Sequence, residues 1–172
     1  IFGLATLAIM CQTGCSPQRE SEKLSELTLE GVWRSSGYGE VLEIIEGRYE
    51  IYEVTALSCL SRKTGTIAEY DFEINATDDR LTIVEGFDRY TYTRQTDVPN
   101  VCRPDQILSA TSDPLINYDV FAQTIEEHYA YFNLSDVNWS DYRAKMRARA
   151  AEISSDGALL VLFETMLEDL KD

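Results

Sequence analysis

Two hydrophobic periods divide the chain near residue 100. From Leu29 to Gln95 apolar and polar positions alternate among β-forming residues, the pattern of half-buried strands. "EVLEIIEGRYEIYEV" predicts two strands around Glu46-Gly47, and "DRLTIVEGFDRYTYTRQ" predicts two more around Glu85-Gly86. The two hairpins repeat one phrase, Leu42-Glu43-Ile44-Ile45-Glu46-Gly47 and Leu81-Thr82-Ile83-Val84-Glu85-Gly86. Glycine takes a positive φ without a Cβ clash, which suits it to a tight turn. "GVWRSSGYG" supplies a first short strand with Trp33 inside, and "GTIAEYDFEIN" alternates up to the turn cluster "NATDD". Six or seven short antiparallel strands at this spacing predict a small barrel or sandwich over residues 28–100.

"TDVPNVCRPDQILSATSDP" has no periodicity and three prolines, so residues 101–112 read as a linker. From Asp113 the period becomes helical. Asp113-Pro114 fits N-cap and first helical position, and Tyr118, Phe121, Ile125, Tyr129 and Phe132 follow on one face. A second helix starts at Asn138, with Asp141 three residues on and a stripe of Trp139, Tyr142, Met146, Ala150 and Ile153. A third follows Ser155, with Leu159, Phe163, Met166, Leu167 and Leu170 as its stripe. The expected fold class is α+β: an antiparallel β domain, then a three-helix region over 113–172.

The N-terminus has a different pattern. "IFGLATLAIM" is apolar and uncharged, too short for a membrane span but suited to the apolar centre of a secretory signal whose start is missing. Thr13-Gly14-Cys15 resembles the end of a bacterial lipobox, so residues 1–15 read as a lipoprotein-type signal lipidated at Cys15, with Cys11 the weaker alternative. An ordinary cleaved signal or an apolar N-terminal helix is the plainer reading. Residues 16–27 would be a polar tether. The expected location is then the periplasm or cell surface, anchored by lipid. Cys59 and Cys102 remain. In an oxidising compartment such a pair usually closes a disulfide, and a loop of about 44 residues would contribute roughly 4 kcal/mol in the chain-entropy picture. Two free buried thiols are the alternative.

Charge narrows the function. The 172 residues carry 30 Asp+Glu against 15 Lys+Arg, a net charge of -15. Nucleic-acid binding needs a basic face, so no nucleic-acid partner is expected. No nucleophile elbow, phosphate loop or zinc spacing is present, and no cofactor or metal is expected. Asp78-Asp79 reads as a hairpin loop, and Glu126-Glu127 as adjacent helix positions that point apart. His128 is the single histidine. Beside an aromatic stripe, it reads as a core-edge side chain bonded to a backbone carbonyl.

The helical half also resembles a known family. Asp113-Pro114, Phe121, Glu126, Glu127, Tyr129, Phe132, Val137, Trp139, Tyr142, Leu159 and Met166-Leu167 resemble the segment preceding the catalytic core of tail-specific, or C-terminal-processing, serine peptidases, in their tricorn-like branch. Leu170 and Asp172 resemble the start of a Leu-x-Asp-x-His motif. The match covers about a third of the chain. It implies peptide hydrolysis by a serine nucleophile in a downstream α/β domain, through a Ser-Lys dyad or a Ser-His arrangement, often beside a PDZ module. None of those catalytic positions falls within these residues, so no catalytic residue is assigned, and His128 matches none. The expectation is the N-terminal, non-catalytic part of an exported serine peptidase, its helices packed against a catalytic domain. The rivals are a lipoprotein whose β barrel binds a small ligand or a partner protein, and a scaffold module without chemistry.

Overall fold

A computed structural model describes residues 29–70 and 73–171. The chain is α+β, with a seven-stranded antiparallel sheet followed by three helices. The strands are β1 (Gly31–Ser35), β2 (Glu40–Ile45), β3 (Arg48–Val54), β4 (Cys59–Thr66), β5 (Glu73–Ala76), β6 (Arg80–Glu85) and β7 (Asp88–Gln95). They lie in the order β4-β3-β2-β1-β7-β6-β5, so the first strand is central. The expected signal, with Cys11 and Cys15, and the expected tether lie outside the described residues.

The sheet curls without closing. Ile51 of β3 and Ile83 of β6 belong to one buried cluster, although β2, β1 and β7 lie between their strands. A flat sheet would hold those strands about 19 Å apart at the usual strand spacing. Trp33, Leu42, Ile44 and Leu81 complete the centre of this inner cluster. The edges β4 and β5 do not pair with each other, so the expected barrel is an open half-barrel. Ile67 and Tyr70, from the connection between those edges, pack against the inner cluster.

Turn chemistry fixes the register. Glu46 and Gly47 both have positive φ (52° and 71°), as a type I′ hairpin requires, and Ile45 pairs with Arg48. The second copy of the phrase turns one residue later, at Gly86-Phe87, because Glu85 still pairs with Asp88. Both copies nevertheless point the same positions inward: Leu42 and Ile44, Leu81 and Ile83. "GTIAEYDFEIN" is not one strand. Gly65 and Thr66 finish β4, Ile67–Glu69 make a 3-10 turn, and β5 starts at Glu73.

The outer face buries Val32, Val41, Tyr52, Val54, Cys59 and Cys102. Cys59 and Cys102 form a disulfide with their Cα atoms 5.0 Å apart. Val101 and Cys102, at the start of the expected linker, therefore pack on the β domain.

Three helices follow: α1 (Pro114–His128), α2 (Trp139–Ala150) and α3 (Asp156–Leu170). Asp113 caps α1 by accepting from the Leu115 and Ile116 amides, while Asn138 caps α2 and Ser155 caps α3. Each cap satisfies amide donors that a helix start leaves without partners. Tyr118, Ala122, Met146, Ala150, Leu162 and Met166 fill the shared interior. The two alanines let the helix backbones approach, and Phe121 stacks on Phe163 with centroids 4.1 Å apart. The first helix is shorter than its stripe suggests. Tyr129 is its C-cap, and Phe132 starts a separate 3-10 turn. No helix among the described residues is long and apolar enough to cross a membrane.

Candidate functional site

Three features of this frame bear on function: a cavity in the half-barrel, a contact between the two halves, and an aromatic lock on the last helix.

The cavity opens at the end of the half-barrel that carries the β1–β2 and β6–β7 turns, with a volume of about 900 Å³. Strand alternation places its wall directly above the inner core. Ile51, Ile83 and Tyr92 belong to both. Tyr38, Tyr70 and Tyr90 complete a wall of four tyrosines. Glu40, partly buried, accepts from the Tyr92 hydroxyl at 3.2 Å and pairs with Arg62. Burial is the main cause that pushes the Tyr70 phenol up to about 12, with the neighbouring Tyr49, Glu85 and Glu40 adding to it. Burial and Glu40 hold the Tyr92 phenol well above its ordinary value. Tyr90 is also raised, chiefly by the charge of Asp88. Tyr38 stands at the lip, 75% exposed, with a φ of 59° that a bulky side chain rarely adopts.

His128 reaches this cavity from the end of α1. Its Nε2 lies 3.1 Å from the Val54 carbonyl, and since a carbonyl only accepts, Nε2–H is the donor. The expected backbone-carbonyl partner is thus found, but on the β domain rather than within the helices. Glu127 accepts from the Ala56 amide at 2.8 Å. Both hydrogen bonds join the helical half to the β half. Gly39 makes room for the histidine: a Cβ there would lie 2.2 Å from the His128 ring and 2.9 Å from the Val54 oxygen. Glu126 points elsewhere and pairs with Arg143 on α2, so the adjacent acids do separate tasks.

The third feature joins the resemblance motif to the end of α3. The rings of Tyr129, Phe132, Trp139 and Tyr142 touch in sequence. The Tyr129 hydroxyl donates to the Leu170 carbonyl at 2.8 Å, and the Tyr142 hydroxyl donates to the Asp169 carboxylate at 2.6 Å. The Trp139 indole N–H is buried without an acceptor among the described residues.

No family model, curated protein or solved structure matches the chain.

Among the described residues no three His, Cys, Asp or Glu side chains gather into a metal-binding group. Asp78-Asp79 lies in the β5–β6 turn, where Thr77 Oγ1 donates to Asp79 at 3.0 Å. Cys59 and Cys102 staple the outer face and do not reach the cavity. Sequence reasoning missed the cavity tyrosines and Gly39. The tyrosines carry a signal, since Tyr90 and Tyr92 share the inward parity of β7. Gly39 carries none, because its neighbour comes from residue 128.

Proposed function

We propose that this chain is the N-terminal, non-catalytic part of an exported serine-type peptidase, held at the membrane by a lipid on Cys15. Its role is to carry and orient a catalytic domain that follows the helices and cleaves peptides. The observation that supports this reading best is the aromatic lock. Tyr129 and Tyr142, both motif positions of the resemblance, converge on Leu170 and Asp169. Rigid aromatic side chains with a polar tip suit this task, because they bury area while fixing one hydrogen bond. The last turn of α3 is where the resemblance places the approach to a catalytic histidine, so a fixed turn would fix the start of the catalytic unit.

On this reading the 172-residue chain alone does not hydrolyse peptides, and the same chain continued into its catalytic domain does. Hydrolysis of a peptide library by the purified chain, abolished by a substitution within these 172 residues, would overturn it. A second reading has one observation in its favour. The half-barrel cavity falls within the size range of small-molecule sites, which suits an exported β module that binds a ligand.

A further inference from the structure

We propose that the mouth of the half-barrel binds a cationic, amine-bearing group, of the kind carried by a lysine-rich peptide. This does not depend on the peptidase reading, since every group involved lies in the β domain or at His128.

The cavity of about 900 Å³ carries four tyrosine rings on its wall and lip, beside Ile51 and Ile83. The face of an aromatic ring attracts a cation, and several rings around one space form a cage for ammonium groups. The protein already makes this contact once: the Lys63 ammonium lies over the Tyr70 ring, 5.3 Å from its centroid. A ligand amine would use the same chemistry on the neighbouring Tyr38 and Tyr90.

The charged groups around the rings carry an excess of one carboxylate. Glu40, Glu53, Glu85 and Asp88 line the cavity against Arg62, Lys63 and Arg89. Arg62 is engaged by Glu40, whereas Glu85 and Asp88 stay exposed at the β6–β7 end. The phenols register the balance. Burial and nearby carboxylates raise Tyr70 and Tyr92, and the charge of Asp88 raises Tyr90. The whole chain, at a net charge of -15, adds a field that favours cations over anions.

The lip adds a third observation. Tyr38 keeps a left-handed backbone although it is bulky and 75% exposed, and backbone strain of this kind clusters at ligand clamps. Phe87, at the tip of the β6–β7 turn on the same end, is also fully exposed. The two neighbouring hairpin tips thus each present an aromatic ring to solvent at this end of the sheet.

The test uses the full 172-residue chain and three probes in calorimetric titrations: N-acetyl trilysine amide, N-acetyl triglutamate amide and a neutral oligosaccharide, maltotriose. The expected result is saturable binding of the trilysine peptide alone, weakened by added sodium chloride. Tyr38→Gly removes the lip ring and relieves the left-handed backbone. It should leave the thermal midpoint unchanged or higher while weakening the trilysine peptide about threefold, the value of one exposed cation–ring contact. Glu85→Gln with Asp88→Asn, both exposed and safe for folding, should weaken it further. No saturable binding of the trilysine peptide overturns the proposal. So does equal binding of triglutamate, preferential binding of maltotriose, or trilysine binding that neither variant changes.

Discussion

In the β half, aromatic rings line a space; in the helical half, they fill one. Tyr38, Tyr70, Tyr90 and Tyr92 surround a cavity whose floor is an apolar core. Phe121 instead stacks on Phe163 and Phe132 packs at a tilt on Trp139, while Tyr129 and Tyr142 tie down one helix end. The cause lies in the two geometries. A curled sheet with seven strands must leave its mouth open or plug it, and here charged residues at the strand ends keep it open. A bundle of three helices has a single narrow interior, and Ala122 and Ala150 make it narrower still. The β half has room for a ligand, and the helical half has a fixed end from which something can be positioned. Between them stands a thin polar contact, Glu127 to Ala56 and His128 to Val54, the kind of junction at which domains move relative to each other.

The comparison breaks most readily if the halves prove to be one cooperative unit. Trp33 is fully buried at the centre of the inner cluster, and Trp33→Ala should cost about 3–5 kcal/mol. The expected outcome is loss of the β transition with the helical circular-dichroism signal retained; simultaneous loss of both would join the halves. Opening the disulfide by a paired Cys59→Ser, Cys102→Ser change should cost roughly 4 kcal/mol through the loop it closes. Chemical denaturation should again show this loss in the β half alone. Gly39→Ala should cost about 2 kcal/mol, because the new Cβ meets His128 in a left-handed backbone. It should also expel His128, seen as faster amide exchange at Ala56 once Glu127 is displaced.

Smaller changes sharpen the helical side. Tyr129→Phe removes the hydroxyl that holds the Leu170 carbonyl and should cost about 1 kcal/mol, with faster exchange in the last turn of α3 and little effect on the β half. The smallest effect concerns Asp119, whose carboxyl is held below the ordinary carboxylate range first by its hydrogen bond from Arg147. The folded value lies below the unfolded one. This stabilisation is therefore complete above the unfolded carboxyl range near about 4 and is lost as pH falls through the lower folded value. The pair is half-exposed, so Asp119→Asn should remove no more than about 0.5 kcal/mol at neutral pH, detectable as a flatter acid limb in a thermal-midpoint titration.

Much of the frame was legible in the chain. Period two found the β2–β3 and β6–β7 hairpins, period 3.6 found three helices, and Asp113, Asn138 and Ser155 marked their starts. β4 escaped because its sequence, Cys-Leu-Ser-Arg-Lys-Thr-Gly-Thr, is almost wholly exposed at a sheet edge and carries no alternation. Leu162 escaped because Phe163 beside it suggested a different stripe, and packing chose the smaller leucine for the interior. The open seam was not legible either, since closure depends on whether β4 meets β5 across Ile67 and Tyr70. His128 was read correctly as bonded to a backbone carbonyl, but its carbonyl belongs to a residue 74 positions away. Local pattern carries no information about that separation. The cavity followed from the same kind of distant arrangement: each tyrosine's parity was visible, but the curl that gathers them was not.

The proposed continuation of these helices into a serine-peptidase catalytic domain can be measured on the native protein. The direct measurement is mass spectrometry of the native polypeptide, captured from its source with antibodies raised against this chain. The expected result is a species well above 19.5 kDa, with peptides that read from Leu170 through Asp172 into Gly-His and with a serine-nucleophile motif further on. A native polypeptide whose sequence ends at Asp172, or continues without that histidine and serine, would contradict it.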